Sequence, residues 1–117
     1  MFVSVVLDPG GEESARHLAE LLATYGFEKV QRACWESVTI SDQILVRLKQ
    51  EIDSLTDYYD SVRLYQFPVD GSMAVTVLSK KKWKRILVKP PVQTANAKTA
   101  QGNASGAKTS INPGVKK

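Results

Sequence analysis

The spacing of apolar residues changes several times along the chain, and each change marks an element. Phe2-Val3-Ser4-Val5-Val6-Leu7 is an almost unbroken apolar run of strand length, and it stops at Asp8-Pro9-Gly10-Gly11. An edge strand would alternate polar and apolar residues, so this run reads as an interior strand with cover packed over it. Proline cannot serve an interior ladder and two glycines allow a sharp turn, which puts Asp8 at the carboxyl end of a central strand. Glu12 and Glu13 then open a helix, whose first turn favours negative charge. Ala15, Leu18, Ala19, Leu22 and Tyr25 form its apolar stripe, and Gly26 closes it.

From Phe27 to Val38 the chain is rich in strand formers and too long for one strand. Two short strands or a bent one are expected, with the break near Gln31 or Arg32. Thr39-Ile40-Ser41-Asp42 reads as a helix start, with Ser41 or Thr39 as N-cap. Ile44, Leu45, Leu48, Ile52 and Leu55 follow at helical spacing, Arg47 and Glu51 are placed to pair on the wet side, and fraying is expected near Thr56. Asp60–Phe67 is a predicted strand ended by Pro68, Val69-Asp70-Gly71 a turn, and Met73–Leu78 a further strand. Ile86-Leu87-Val88 is a last short apolar run before Pro90-Pro91.

Strand, helix, two strands, helix, strand is the βαββαβ order of an α+β, ferredoxin-like sandwich, here with extra C-terminal strands. Both helices would cover one sheet face. Tyr65, Phe67 and the valines on both sides of the first strand cannot all point at them, so the other face needs a second subunit laid sheet to sheet, a homodimer. Beyond Pro91 only Val92, Ile111 and Val115 are sizeable apolar residues. That composition predicts a folded domain over residues 1–90 and a disordered basic tail over 91–117.

Charge sharpens the division. Ten of the sixteen basic residues lie at or after Lys80, so residues 1–79 carry six bases against all twelve acids, a net −6. An acidic body with a basic end suggests a polyanionic partner for that end. One cysteine, Cys34, excludes an internal disulfide and agrees with a reducing cytoplasm; with one histidine, His17, it leaves no zinc site within one chain. No signal peptide and no run long enough to span a bilayer is visible, so the expected location is cytoplasmic, with no membrane partner. Cys34 reads as a small buried hydrophobe and His17 as a solvated helix residue. From its position alone, before Pro-Gly-Gly, Asp8 reads as a turn former rather than a site carboxylate. Lys80-Lys81-Lys82-Trp83-Lys84-Arg85 could track a phosphate backbone or simply guard a sheet edge, with Trp83 packing at the dimer interface. Arg16 and Arg32 are further phosphate-contact candidates, and salt bridging would explain either.

These residues bring a family into view. The apolar strand ending in Asp8, the Tyr25-Gly26 helix end, Val30-Gln31 with Ala33-Cys34-Trp35-Glu36, and Ser61-Val62-Arg63-Leu64-Tyr65 together resemble CRISPR-associated protein 2. In that family the stretches run hydrophobic-Tyr-Asp, Gly-x-x-x-Val-Gln-x-Ser-Val-Phe-Glu and Ser-Val-Arg-Ile-Tyr. Here Leu7 replaces the tyrosine, and Ala33-Cys34-Trp35 replaces Ser-Val-Phe. The resemblance implies a homodimer that holds double-stranded DNA, with RNA as the alternative, as a scaffold for the CRISPR integrase subunit during spacer acquisition. It also implies that Asp8 of both subunits meet at the two-fold axis, where they would share Mg²⁺ and support metal-dependent endonuclease chemistry. Two rival readings share the architecture: a toxin-type endoribonuclease of the virulence-associated protein D kind, and a non-catalytic ferredoxin-like regulatory dimer.

Overall fold

A computed structural model describes residues 1–89. The tail expected over 91–117 lies outside the described residues. Eight elements follow in order: β1 (Phe2–Asp8), α1 (Glu12–Thr24), β2 (Glu28–Gln31), β3 (Cys34–Ser37), α2 (Asp42–Leu55), β4 (Ser61–Val69), β5 (Ser72–Ser79) and β6 (Lys82–Val88). All strand pairs are antiparallel, in the order β2-β3-β1-β4-β5-β6. The first four positions are compatible with a ferredoxin-like sheet, and β5 and β6 extend it beyond β4. As its composition suggests, β1 is interior, between β3 and β4.

Strand periodicity sorts the side chains onto two faces. Val3, Val5 and Leu7 of β1, Trp35 of β3, Val62 and Leu64 of β4 and Leu78 of β5 form one core with Leu18 and Leu22 of α1 and Leu45, Leu48 and Ile52 of α2. The opposite face carries Phe2, Val6, Tyr65, Phe67, Met73, Val75, Ile86 and Val88, which the registers place on one side. No helix among the described residues lies over it. Phe67, Met73, Ile86 and Val88 are all exposed.

The helices start and stop for local reasons. Gly11 precedes α1 without a side-chain cap, while Glu12 and Glu13 complement its first turn. Gly26 supplies the left-handed φ of 84° at its end. The Ser41 hydroxyl accepts from the Ile44 N–H at 3.3 Å and caps α2.

Several expectations are corrected. The Arg47–Glu51 pair does not form: Glu51 instead accepts from the Tyr25 hydroxyl, which ties α2 to α1 and pushes the Tyr25 pKa up. The end of α2 falls where expected, at Leu55, and there the buried Thr56 hydroxyl donates to the Ile52 carbonyl at 2.9 Å. Pro68 does not end β4. The strand pairs again at Val69↔Ser72, and a register shift between Gln66 and Val69 absorbs the proline. Val38 lies outside β3 and is 71% exposed. The expected break at Gln31 or Arg32 is found, as a turn over Arg32-Ala33.

Candidate functional site

One end of the sheet gathers most of the expected chemistry. Asp8 closes β1 and sits in a cross-strand row Asp8↔Ser61↔Ser79↔Lys82 on the face without helices. The next row runs Cys34↔Val6↔Arg63↔Val77↔Lys84. Strands stand ~4.8 Å apart, so Lys82 is about 14 Å from Asp8 across three spacings. The Arg32-Ala33 turn reaches this end too, because the Leu7 N–H donates to the Ala33 carbonyl at 2.8 Å. The uncovered face is therefore graded: Asp8 with Arg63, Lys82 and Lys84 at one end, and the large apolar side chains toward the other.

Asp8 is exposed, and its carboxylate takes no hydrogen bond from the described residues. What holds its position is a neighbour that lay hidden in the sequence. Asp60, 2% exposed, was expected to begin β4 but ends the preceding loop. It accepts from the Gly10 N–H at 2.7 Å, from the Asp57 N–H at 2.9 Å and from the Ser14 hydroxyl at 3.2 Å. Burial pushes its carboxyl up, but those donors outweigh the burial and hold it below the usual carboxylate range. Asp60 thus buckles the Pro9-Gly10-Gly11 loop to the loop between α2 and β4. The two loops touch so closely that a Cβ on Gly10 would lie 2.7 Å from the Tyr59 Cβ.

The expected basic block divides among three environments. Lys82 and Lys84 lie on the Asp8 face of β6, whereas Arg85 and Trp83 point to the helix side. Trp83 therefore lies on the helix side rather than on the uncovered face, and its indole N–H donates to Asp53 of α2 at 3.1 Å. Lys80 and Lys81 form the two-residue β5–β6 turn with φ of 54° and 60°. The Lys81 ammonium donates to the Asp53 carbonyl at 2.7 Å and the Thr56 carbonyl at 3.1 Å, capping α2 at the negative end of its dipole. Only by turning away from those carbonyls could it meet a phosphate. Arg16 is paired with Glu20 at 3.6 Å on exposed α1, and Arg32 is exposed in its turn. Cys34 is not a core residue: it sits half-buried on the uncovered face, with its sulfur 3.4 Å from the Ser4 hydroxyl.

Arg63 is a further cation at this end that composition alone does not single out. Its Nε donates to the Tyr65 hydroxyl at 3.0 Å and its guanidinium lies 5.7 Å from that ring's centre. The parity of Ser61, Arg63, Tyr65 and Phe67 along one strand was the available signal.

Among the described residues no three His, Cys, Asp or Glu side chains come together to hold a metal ion. A single exposed carboxylate is a poor seat for magnesium, so the donor set fits that ion only if a second Asp8 faces the first. No helix among the described residues is long and apolar enough to cross a membrane.

A two-helix α+β unit with a split βαββαβ sheet, an Asp at the end of its central strand and a basic outer hairpin defines the class. Within that class the chain matches the family described as CRISPR associated protein Cas2 over residues 1–86, and it belongs to that family. No curated protein and no solved structure matches it significantly.

Proposed function

We propose that the chain works in CRISPR spacer acquisition as a homodimer that holds duplex DNA for the integrase, with the two Asp8 carboxylates meeting across the dimer axis. The observation that carries this reading is the graded face. Its apolar end is the kind of surface that a second copy covers. Its other end brings Asp8 onto the central strand, next to the line about which two such sheets would be related. Lys82 and Lys84 lie on the outermost strand of the same face, where a phosphate backbone could reach them after two sheets have closed.

In that arrangement Asp8 and its twin would repel unless a proton or a cation stood between them. Magnesium with retained waters would supply that cation and could present a water to phosphorus. Scaffolding is the main role in this reading and cleavage a secondary one. Asp60 acts on the site by position alone, holding the loop that follows Asp8.

Light scattering and duplex-binding assays on the full chain, with and without Mg²⁺, test the reading. A dimer mass, duplex binding, and metal uptake that Asp8→Asn abolishes while binding persists are the expected results. A folded monomer at micromolar concentration would overturn the dimer. Unchanged metal uptake in Asp8→Asn would remove Asp8 from the site.

A further inference from the structure

We propose that the notch between α2 and β6, on the sheet face opposite Asp8, seats a phosphate-class oxyanion through Lys49, Arg85 and Gln66. The notch encloses about 240 Å³ and is lined by those three residues with Asp42, Leu45, Val46 and Val69. Water takes ~30 Å³ per molecule, so the space exceeds a single tetrahedral oxyanion with part of its hydration.

Three features converge there. First, two cations face one cavity with no ion-pair partner, since the ion pairs among the described residues are Arg16–Glu20 and Lys81–Asp53. Second, the Lys49 ammonium is held below its usual pKa by burial first and by Arg85 second, with Asp42 opposing more weakly. At the Lys49 ammonium the repulsion from Arg85 outweighs the attraction of Asp42 on the rim. Third, Gln66 is 5% exposed, and its carboxamide is only half satisfied. Its oxygen accepts from the Thr76 hydroxyl at 3.3 Å, while its NH₂ finds nothing better than the Met1 sulfur at 3.9 Å. A buried N–H donor with a thioether for company is costly, and Gln66 is one of the residues that line the cavity with the two cations. Ammonium, guanidinium and carboxamide N–H are all donors. An oxyanion is the ligand that answers all three, and the guanidinium can grip it through two parallel bonds.

The site stands apart from the DNA reading above, although a phosphodiester and free phosphate would both fit it. The test is an amide-resolved NMR titration of the full chain with inorganic phosphate, against sodium chloride at matched ionic strength. The Gln66 carboxamide and the Lys49 and Arg85 amides should move on one saturable curve. Lys49→Gln with Arg85→Gln should weaken binding about tenfold or more, as the loss of charge-assisted hydrogen bonds requires. Its melting temperature without phosphate should hold or rise, since two like charges no longer face each other. Gln66→Leu should also weaken phosphate binding; if it does not fold, the double variant decides the matter. A second titration with a short DNA duplex identifies the source. Movement of Gln66 in the same direction, with competition by phosphate, assigns the seat to a phosphodiester. A silent Gln66 with saturable phosphate assigns it to a free oxyanion. No saturable movement of Gln66 with either ligand, or an unchanged titration in the double variant, overturns the proposal. Saturable phosphate binding in a chain that binds no duplex anywhere would instead sink the DNA reading and leave this site standing.

Discussion

Replacing Asp60 by alanine should destabilise the whole domain by loosening the two loops at the end of the molecule that carries Asp8. The carboxylate is buried and satisfies the Gly10 and Asp57 N–H groups, with the Ser14 hydroxyl as a third donor. Alanine removes two charge-assisted hydrogen bonds from part-buried N–H groups, at ~1.5–3 kcal/mol each, whereas the Ser14 hydroxyl can turn toward water. The expected loss is about 3–4 kcal/mol, a large share of the ~5–15 kcal/mol that holds a domain together. For a domain of this size each kcal/mol moves the melting temperature by ~4–8 °C, so Asp60→Ala should melt roughly 12 °C or more below the parent. Asp60→Asn keeps one carbonyl acceptor and should lose about half as much. Thermal melts followed by circular dichroism at pH 7 read this directly. A shift of less than about 3 °C in the alanine variant would refute the claim that Asp60 buckles the two loops together.

The same group fixes a pH dependence whose sign follows from its depressed pKa. Because the folded-state pKa lies below the unfolded value, the contribution of Asp60 is complete above the unfolded pKa, near 3.8, and disappears as pH falls through the folded value. One proton accounts for a slope of at most ~1.4 kcal/mol per pH unit. The parent should therefore lose stability on acidification below about pH 4 more steeply than Asp60→Asn does. Parallel stability curves for the two proteins would show that the carboxylate is not tied to its donors in solution.

Other outcomes follow from the same geometry. Gly10→Ala places a Cβ 2.7 Å from the Tyr59 Cβ and 2.8 Å from its carbonyl oxygen, and should cost ~1–3 kcal/mol in the same melts; an unperturbed variant would mean the loops can part freely. Lys82→Gln with Lys84→Gln should flatten the salt dependence of duplex binding by up to ~0.9 log units per lost contact and leave stability nearly unchanged. Lys81→Ala should do the reverse, lowering stability by about 1 kcal/mol through the lost α2 cap with little change in salt slope; a slope change matching the Lys82 and Lys84 pair would place Lys81 on the nucleic acid.

Much of the fold was legible because the local signals agreed with one another. The apolar run of β1, the helical stripes of α1 and α2, the Ser41 cap and the Asp70-Gly71 turn all carry their meaning within a few residues. The turn over Arg32-Ala33 could be inferred from length alone, since the segment was too long for a single strand. Asp60 was not legible. Its three donors lie 3, 46 and 50 residues away in the chain, and a strand-forming Ser-Val-Arg run immediately after it absorbs it into the strand pattern.

The basic hairpin shows why charge counted along a chain says little about a patch. Six basic residues within ten positions read as one polyanion-binding block. The β5–β6 turn carries no Asn-Gly or other glycine signal, and two lysines adopt left-handed φ there instead, at a cost of ~1–2 kcal/mol each. That missing signal hides where the strand begins, and with it the alternation that separates Lys82 and Lys84 from Trp83 and Arg85. The strained turn persists because Lys81 gains the open carbonyls at the end of α2 and Trp83 gains Asp53. Once the turn is docked, register assigns each remaining cation a face. Lys82 and Lys84 join the row system of Asp8, and Arg85 is turned across the sheet to the cavity that Lys49 and Gln66 also line.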